Sequence, residues 1–289
     1  MTDIEGGWQH RTWRSADGLT LHARDYAAGE GEARWPVICL HGLTRNARDF
    51  EALAPWIAAR GRRVLAVDVR GRGLSDRDPR AAYWVPTYAD DVRRLAEALG
   101  LARAIFIGTS MGGLITMELA AIAPQLVGGA VINDVGPVPA AEGLARIGAY
   151  VGNAPVFATW DEAADYLHKQ NEAALPHYDV CDWQRMAQRM FREAGGEVKA
   201  DYDPAIAVAF GTGPLLADPW VRWHGLARDR PILLLRGGLS DLLAAGDAKR
   251  MVAEHGRARL REVPNVGHAP MLDEAEALAA IGQFLDEVP

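Results

Sequence analysis

The stretch Ala104-Ile105-Phe106-Ile107-Gly108-Thr109-Ser110-Met111-Gly112-Gly113 decides how the rest of the chain is read. An apolar run of strand character leads straight into Gly-x-Ser-x-Gly, and the segment after it, Leu114–Ala123, reads as a helix. A serine placed there sits on a sharp turn between strand and helix, where side chains on its neighbours would collide, so glycine is required on both flanks. The start of the helix adds backbone N–H groups and the positive end of a dipole beside the hydroxyl. Ser110 is therefore read as a nucleophile, with a purely structural turn as the alternative.

A serine hydroxyl is a weak nucleophile unless a base removes its proton and a third group orients that base. In the Ser, acid, His order that accompanies such an elbow, both partners lie downstream. His268 is the candidate base. It follows a late strand in Arg261-Glu262-Val263-Pro264-Asn265-Val266-Gly267-His268, on a loop at the C-terminal edge of a parallel sheet, where functional groups collect. His168, His177 and His224 lack that setting. For the acid, Ile232-Leu233-Leu234-Leu235-Arg236-Gly237-Gly238-Leu239-Ser240-Asp241 is again an apolar strand ending in a turn with a carboxylate, and Asp241 is the preferred residue. Its bland reading is a turn or helix N-cap. Asp134, at the end of the strand in Val131-Ile132-Asn133-Asp134, is the rival, and either could reach the imidazole.

The oxyanion of an acyl-transfer intermediate needs two N–H donors, each worth about 3 kcal/mol of barrier. Met111, directly after the nucleophile, supplies one. Leu43, in Leu40-His41-Gly42-Leu43-Thr44, is expected to supply the other, with His41 fixing the loop rather than acting as a second base.

Outward from these motifs, short aliphatic strands alternate with helical segments, the pattern of an α/β protein with a mostly parallel sheet covered by helices. Strands are predicted near Leu19–Arg24, Pro36–Leu40, Arg63–Val67, Ala104–Ile107, Gly129–Ile132, Ile232–Leu235 and Leu260–Val263. Helices are predicted near Ala47–Ala59, Tyr88–Leu99, Met111–Ala123, Gly246–Glu254 and Asp273–Glu287. Between Val138 and Trp223 the alternation stops, and the block reads as helices and loops without a strand. We assign residues 1–137 and 224–289 to a core and 138–223 to an inserted helical cap. The block holds 11 of the chain's 22 aromatic residues, enough both to pack a small cap and to line an apolar pocket facing the core. His41, Trp160, Trp183 and Phe210 are the expected pocket residues.

The chain has 289 residues, 49% hydrophobic and 24% charged, which excludes a disordered or collagen-like architecture. With 31 basic and 38 acidic residues the balance is −7, which argues against nucleic acid or a membrane surface as partner, since both are bound by clustered positive charge. A small molecule is expected instead. Among the basic residues lysine occurs only at 169, 199 and 249, a compositional bias that weakens any inference from arginine being present at a given site. Cys39 and Cys181 are far apart in sequence and form no metal site by themselves. They fit a reduced, cytoplasmic protein, and the first residues carry no apolar stretch of a secretory signal. No run reaches the roughly 18 apolar residues of a membrane span. Phosphate-loop, complete dinucleotide and His-Glu-x-x-His signatures are missing, so no cofactor and no metal are expected.

Taken together, His41-Gly42, Asp68-Val69-Arg70-Gly71-Arg72-Gly73-Leu74-Ser75-Asp76, Gly108-Thr109-Ser110-Met111-Gly112-Gly113, Gly238-Leu239-Ser240-Asp241 and Asn265-Val266-Gly267-His268 resemble the α/β-hydrolase fold superfamily. The resemblance is to its capped serine esterase, lactonase and C–C hydrolase branch, and it spans nearly the whole chain. It implies a Ser110–His268–Asp241 triad with Asp134 as the alternative acid, and a structural role for the Arg70–Asp76 loop. It implies an ester or lactone as substrate. Dehalogenases and epoxide hydrolases of this fold carry aspartate where Ser110 stands, which excludes those activities. C–C hydrolases carry a more glycine-rich loop than His41-Gly42-Leu43-Thr44-Arg45-Asn46, so that reading ranks below esterase; an acyltransferase or thioesterase, and a non-catalytic receptor on the same fold, are the further alternatives.

Overall fold

The computed structural model describes residues 7–29, 34–212 and 218–289. Its core is an eight-stranded sheet of β1 (Gln9–Arg14), β2 (Thr20–Tyr26), β3 (Val37–Leu40), β4 (Val64–Asp68), β5 (Ala104–Thr109), β6 (Val127–Asn133), β10 (Ile232–Gly237) and β11 (Ala258–Val263), in the order β1-β2-β4-β3-β5-β6-β10-β11. Strand β2 pairs antiparallel with both β1 and β4, and the pairings from β4–β3 through β10–β11 are parallel. Every residue of β3, β4 and β10 is buried, which is why these strands read as unbroken apolar runs rather than as alternations. The predicted strands are all present; β1 is the addition. Its alternating burial and its charged residues Arg11 and Arg14 mark it as an edge strand.

Helices return the chain between parallel strands: α1 (Leu53–Ala58), α2 (Val85–Ala98), α3 (Met111–Ile122), α9 (Ala245–Ala253) and the terminal α10 (Ala275–Glu287). The helix expected over Ala47–Ala59 divides into a 3-10 turn, Ala47–Phe50, and α1. The Asn46 side chain accepts the N–H of Arg48 and caps that first turn, and Pro55, which lacks an N–H, is confined to the first turn of α1. Among the described residues no helix is long and apolar enough to cross a membrane.

Between β6 and β10 lie α4 (Ala141–Tyr150), β7 (Val156–Phe157), α5 (Trp160–Asn171), α6 (Val180–Met190), β8 (Phe191–Ala194), β9 (Glu197–Ala200), α7 (Ile206–Thr212) and α8 (Trp220–Ala227). The insertion is thus not wholly helical: β7, β9 and β8 form a small antiparallel sheet. Its hairpin turns on Gly195-Gly196, both at positive φ, a two-residue turn signal that sequence reading passed over. Helix α6 begins in a capping box, with the Asp179 side chain taking the Asp182 N–H and Asp182 returning to the Asp179 N–H. The expected boundary at residues 223/224 falls inside α8, and that helix packs on α3 of the core. Trp223 is fully buried and donates its indole N–H to the Met251 carbonyl at 3.0 Å, while Arg222 pairs with Glu118 at 2.7 Å.

Candidate active site

The strand β5 delivers Ser110 at its C-terminal edge with φ of +52° and ψ of −114°, a conformation disfavoured for a side chain-bearing residue. The surroundings enforce it. A Cβ on Gly112 would lie 2.0 Å from the Leu40 carbonyl oxygen, and one on Gly108 would lie 2.4 Å from the Gly112 backbone, so strand and helix meet at a distance only glycine permits. The Ser110 N–H is held by the Asn133 carbonyl at 2.9 Å, which fixes the turn against β6.

His268 stands on the loop after β11, and its Nε2 lies 2.9 Å from Ser110 Oγ. Its Nδ1 lies 2.8 Å from Asp134 Oδ2. Since a carboxylate can only accept, Nδ1 carries the proton and Nε2 is left to accept from the serine hydroxyl, the tautomer a general base needs. Asp134 follows directly after β6, which pairs on one side with β5 and on the other with β10, and is fully buried. Its other contacts are the Gly237 N–H at 2.9 Å on Oδ1 and the Ser240 hydroxyl at 2.7 Å on Oδ2. Hydrogen-bond donors thus meet both carboxylate oxygens and fix the direction in which the group points.

The acid preferred from sequence is therefore corrected: the imidazole partner is Asp134 and not Asp241. The physical reason is that Asp241 is committed elsewhere. Its oxygens take Nε and Nη2 of Arg146 at 2.6 and 2.9 Å, and that guanidinium holds its carboxyl below the usual carboxylate range. The Gly238-Leu239-Ser240-Asp241 loop contributes to the site through Ser240, one residue earlier.

The loop after β3 borders Ser110: a Cβ on Gly42 would meet both Arg45 Cγ and Ser110 Cβ within 4 Å. Among the described residues, the backbone N–H groups of Leu43 and Met111 have no hydrogen-bond acceptor. They are the donors the sequence singled out. His41 is buried beneath this loop. Its Nδ1 donates to the Gly42 carbonyl at 2.8 Å and its Nε2 accepts the Val69 N–H at 3.1 Å, while burial pushes its pKa down to about 4. It fixes the loop as a neutral ring and does not line the pocket.

Sequence reading gave Arg72 no part here, yet its buried guanidinium ties the Leu43 loop to Met111. Nε donates to the Leu43 carbonyl at 3.0 Å, Nη1 to the Arg70 carbonyl at 2.8 Å and to Tyr88 Oη at 2.9 Å, and Nη2 lies 3.6 Å from Met111 Sδ. Its neighbour Arg70 binds Asp17, Asp78 and Asp91, which locks the 70–76 loop as the structural element it was expected to be.

The pocket over Ser110 and His268 is walled by Phe50, Tyr150, Tyr166, Met186, Phe191 and Tyr202, with further residues from the loops around them. The expected aromatics are not among them. Trp183 is buried inside the insertion, between His168 and Tyr178, with ring centroids 5.2 and 5.0 Å away. Trp160 and Phe210 pack partly buried against the hydrophobic core. Composition correctly located aromatics in this block, but which helix face each occupies depends on packing that has no local signal. Of the other histidines, His177 lies edge-on against Tyr178, and His224 pairs with Glu254 at the surface.

Residues 37–281 match the alpha/beta hydrolase family, and the chain belongs to it. Relatives that it matches over most of their length include hydrolases. One is a 3-hydroxybutyrate-oligomer hydrolase of Cupriavidus necator, 35% identical over 86% of this chain and 87% of the relative. Another is the sn-1-specific diacylglycerol lipase of Mus musculus, 28% identical over 89% of this chain and 83% of the relative. Among solved structures, an alpha/beta hydrolase from Novosphingobium aromaticivorans is 43% identical, with a TM-score of 0.92 over 98% of this chain and 99% of that one.

Proposed function

We propose that this chain is a serine hydrolase that cleaves a carboxylic ester, open-chain or lactone, of a small and largely apolar substrate. The observation that carries the reading is the continuous path from Ser110 Oγ through the His268 imidazole to the buried Asp134 carboxylate, opening on an aromatic-walled pocket. Ser110 Oγ attacks the carbonyl carbon as its proton passes to His268 Nε2. Asp134 holds the ring and stabilises the imidazolium, and the N–H groups of Leu43 and Met111 take the oxyanion. Collapse of the intermediate expels the alcohol with the proton from Nε2. Water, deprotonated by the same nitrogen, then attacks the acyl-enzyme and releases the acid, restoring Ser110. Elements α4 to α6 of the insertion, which contribute Tyr150, Tyr166 and Met186 to the pocket wall, act as the cap. The names of two relatives, a hydroxybutyrate-oligomer hydrolase and a diacylglycerol lipase, support ester chemistry. Cys39 and Cys181 are unpaired, which suits the cytoplasm.

A series of p-nitrophenyl acyl esters from acetate to octanoate tests this. Turnover at neutral pH that falls by at least about 10³-fold in Ser110→Ala is the expected result. Turnover of the whole series that survives in Ser110→Ala contradicts it.

A further inference from the structure

The pocket wall is not uniformly apolar. Two arginines reach into it, Arg45 from the oxyanion loop and Arg146 from α4, and both are held in the same manner. Arg45 gives Nε and Nη2 to the Asp49 carboxylate at 2.9 and 2.7 Å, and Arg146 gives Nε and Nη2 to Asp241 at 2.6 and 2.9 Å. In each case one edge of the guanidinium fork is fixed by a bidentate carboxylate, leaving Nη1 to face other groups. Arg146 Nη1 has no hydrogen-bond partner among the described residues, and Arg45 Nη1 meets only the Met190 thioether at 3.0 Å, a weak acceptor. Tyr150 lies one turn after Arg146 on α4 and lines the same pocket, and its hydroxyl likewise has no hydrogen-bond partner among the described residues. Burial pushes its phenol pKa up, while the charges of Arg146 and Arg45 pull it down.

Building on the ester-hydrolase reading, we propose that Arg45, Arg146 and Tyr150 form a carboxylate-recognition site. The preferred substrates are then esters that carry a free carboxylate within a few bonds of the scissile carbonyl. The chemistry is that of exchange: two fixed cationic N–H donors and a phenol gain an anionic oxygen in place of a thioether or an unfilled position. Asp49 and Asp241 hold the forks in place beforehand, so little side-chain freedom is lost on binding.

Two isosteric pairs test the proposal: p-nitrophenyl hydrogen glutarate against p-nitrophenyl glutaramate, with the charge on the acyl side, and 3-acetoxybutanoate against 3-acetoxybutanamide, with the charge on the alcohol side. In at least one pair wild type is expected to favour the carboxylate at least tenfold in kcat/KM. Arg146→Gln combined with Asp241→Asn, which removes both members of the pair, should cut that ratio at least tenfold, chiefly through KM. Arg45→Gln with Asp49→Asn should do the same, and gives a second reading if the first variant folds poorly. A ratio near one in both pairs for wild type overturns the proposal, as does a loss in the variants that is equal for acid and amide. If no ester is cleaved in a Ser110-dependent way, the hydrolase reading fails separately. Calorimetric titration of glutarate into Ser110→Ala protein then decides the anion site: binding that weakens at least tenfold in the Arg146→Gln/Asp241→Asn background sustains it, and no binding overturns it.

Discussion

At the scale of single residues, the site rests on a few polar contacts that cannot be exchanged. The role proposed for Met111 rests on its N–H, and its thioether makes only a weak contact with Arg72 at 3.6 Å, so Met111→Leu is expected to retain kcat/KM on a p-nitrophenyl ester within about threefold, as steady-state kinetics would show. Arg72 works through its side chain. Arg72→Leu would leave the Leu43 carbonyl and the Tyr88 hydroxyl without their buried partner, at about 1–3 kcal/mol for each unsatisfied group, and would free the loop that carries one oxyanion donor. We expect kcat to fall tenfold or more with KM little changed, and Arg72→Lys to restore part of it; a KM effect alone would mean Arg72 shapes only binding. The contact between Ser110 and His268, and the two N–H groups of Leu43 and Met111 that have no acceptor among the described residues, fall on residues that sequence reading singled out, because each belongs to a short local motif. Arg72 could not, because its partners lie at positions 43, 70, 88 and 111 and meet only after folding. Asp134 was legible as a candidate and Asp241 was preferred over it. Both end a core strand on a turn, and what separates them is the arginine Asp241 meets across the insertion.

At the scale of elements, the approach of α3 to β3 and β5 sets the geometry of Ser110. Gly112→Ala would force a Cβ against the Leu40 carbonyl oxygen, a backbone atom that cannot step aside. Such a variant should lose more than about 3 kcal/mol in chemical denaturation or fail to accumulate folded, whereas a change below about 1 kcal/mol would show that the helix can slide. The strands and the strand–elbow–helix unit were plain in the sequence because burial on both faces leaves an unambiguous apolar run. The small sheet β7-β9-β8 was not, since its strands have only two to four residues, too short to establish a period, and only Gly195-Gly196 announces it. The division of Ala47–Ala59 into two pieces follows from local capping by Asn46, a signal that composition over a longer window averages away.

At the scale of the whole molecule, a rigid sheet edge supplies Ser110, Asp134 and His268 from the ends of β5, β6 and β11, and the insertion supplies much of the pocket wall. The two parts are joined by α8, which lies against α3 and therefore belongs mechanically to the core. Trp223→Ala, which empties a fully buried indole site and orphans the Met251 carbonyl, should cost about 3–5 kcal/mol of global stability in a denaturant titration. A cost near zero would place α8 with the insertion instead. The strand–helix alternation breaks in the sequence between β6 and β10, whereas the place of α8 and the direction of the aromatic side chains in that block depend on tertiary contacts alone. In the proposed mechanism Ser110 is activated through His268 by Asp134. Measuring kcat on one p-nitrophenyl ester for Asp134→Asn and Asp241→Asn side by side, with folding checked by circular dichroism, tests that activation. A loss of about 10³- to 10⁴-fold for Asp134→Asn, against less than about tenfold for Asp241→Asn, is the expected result. The reverse order would contradict it.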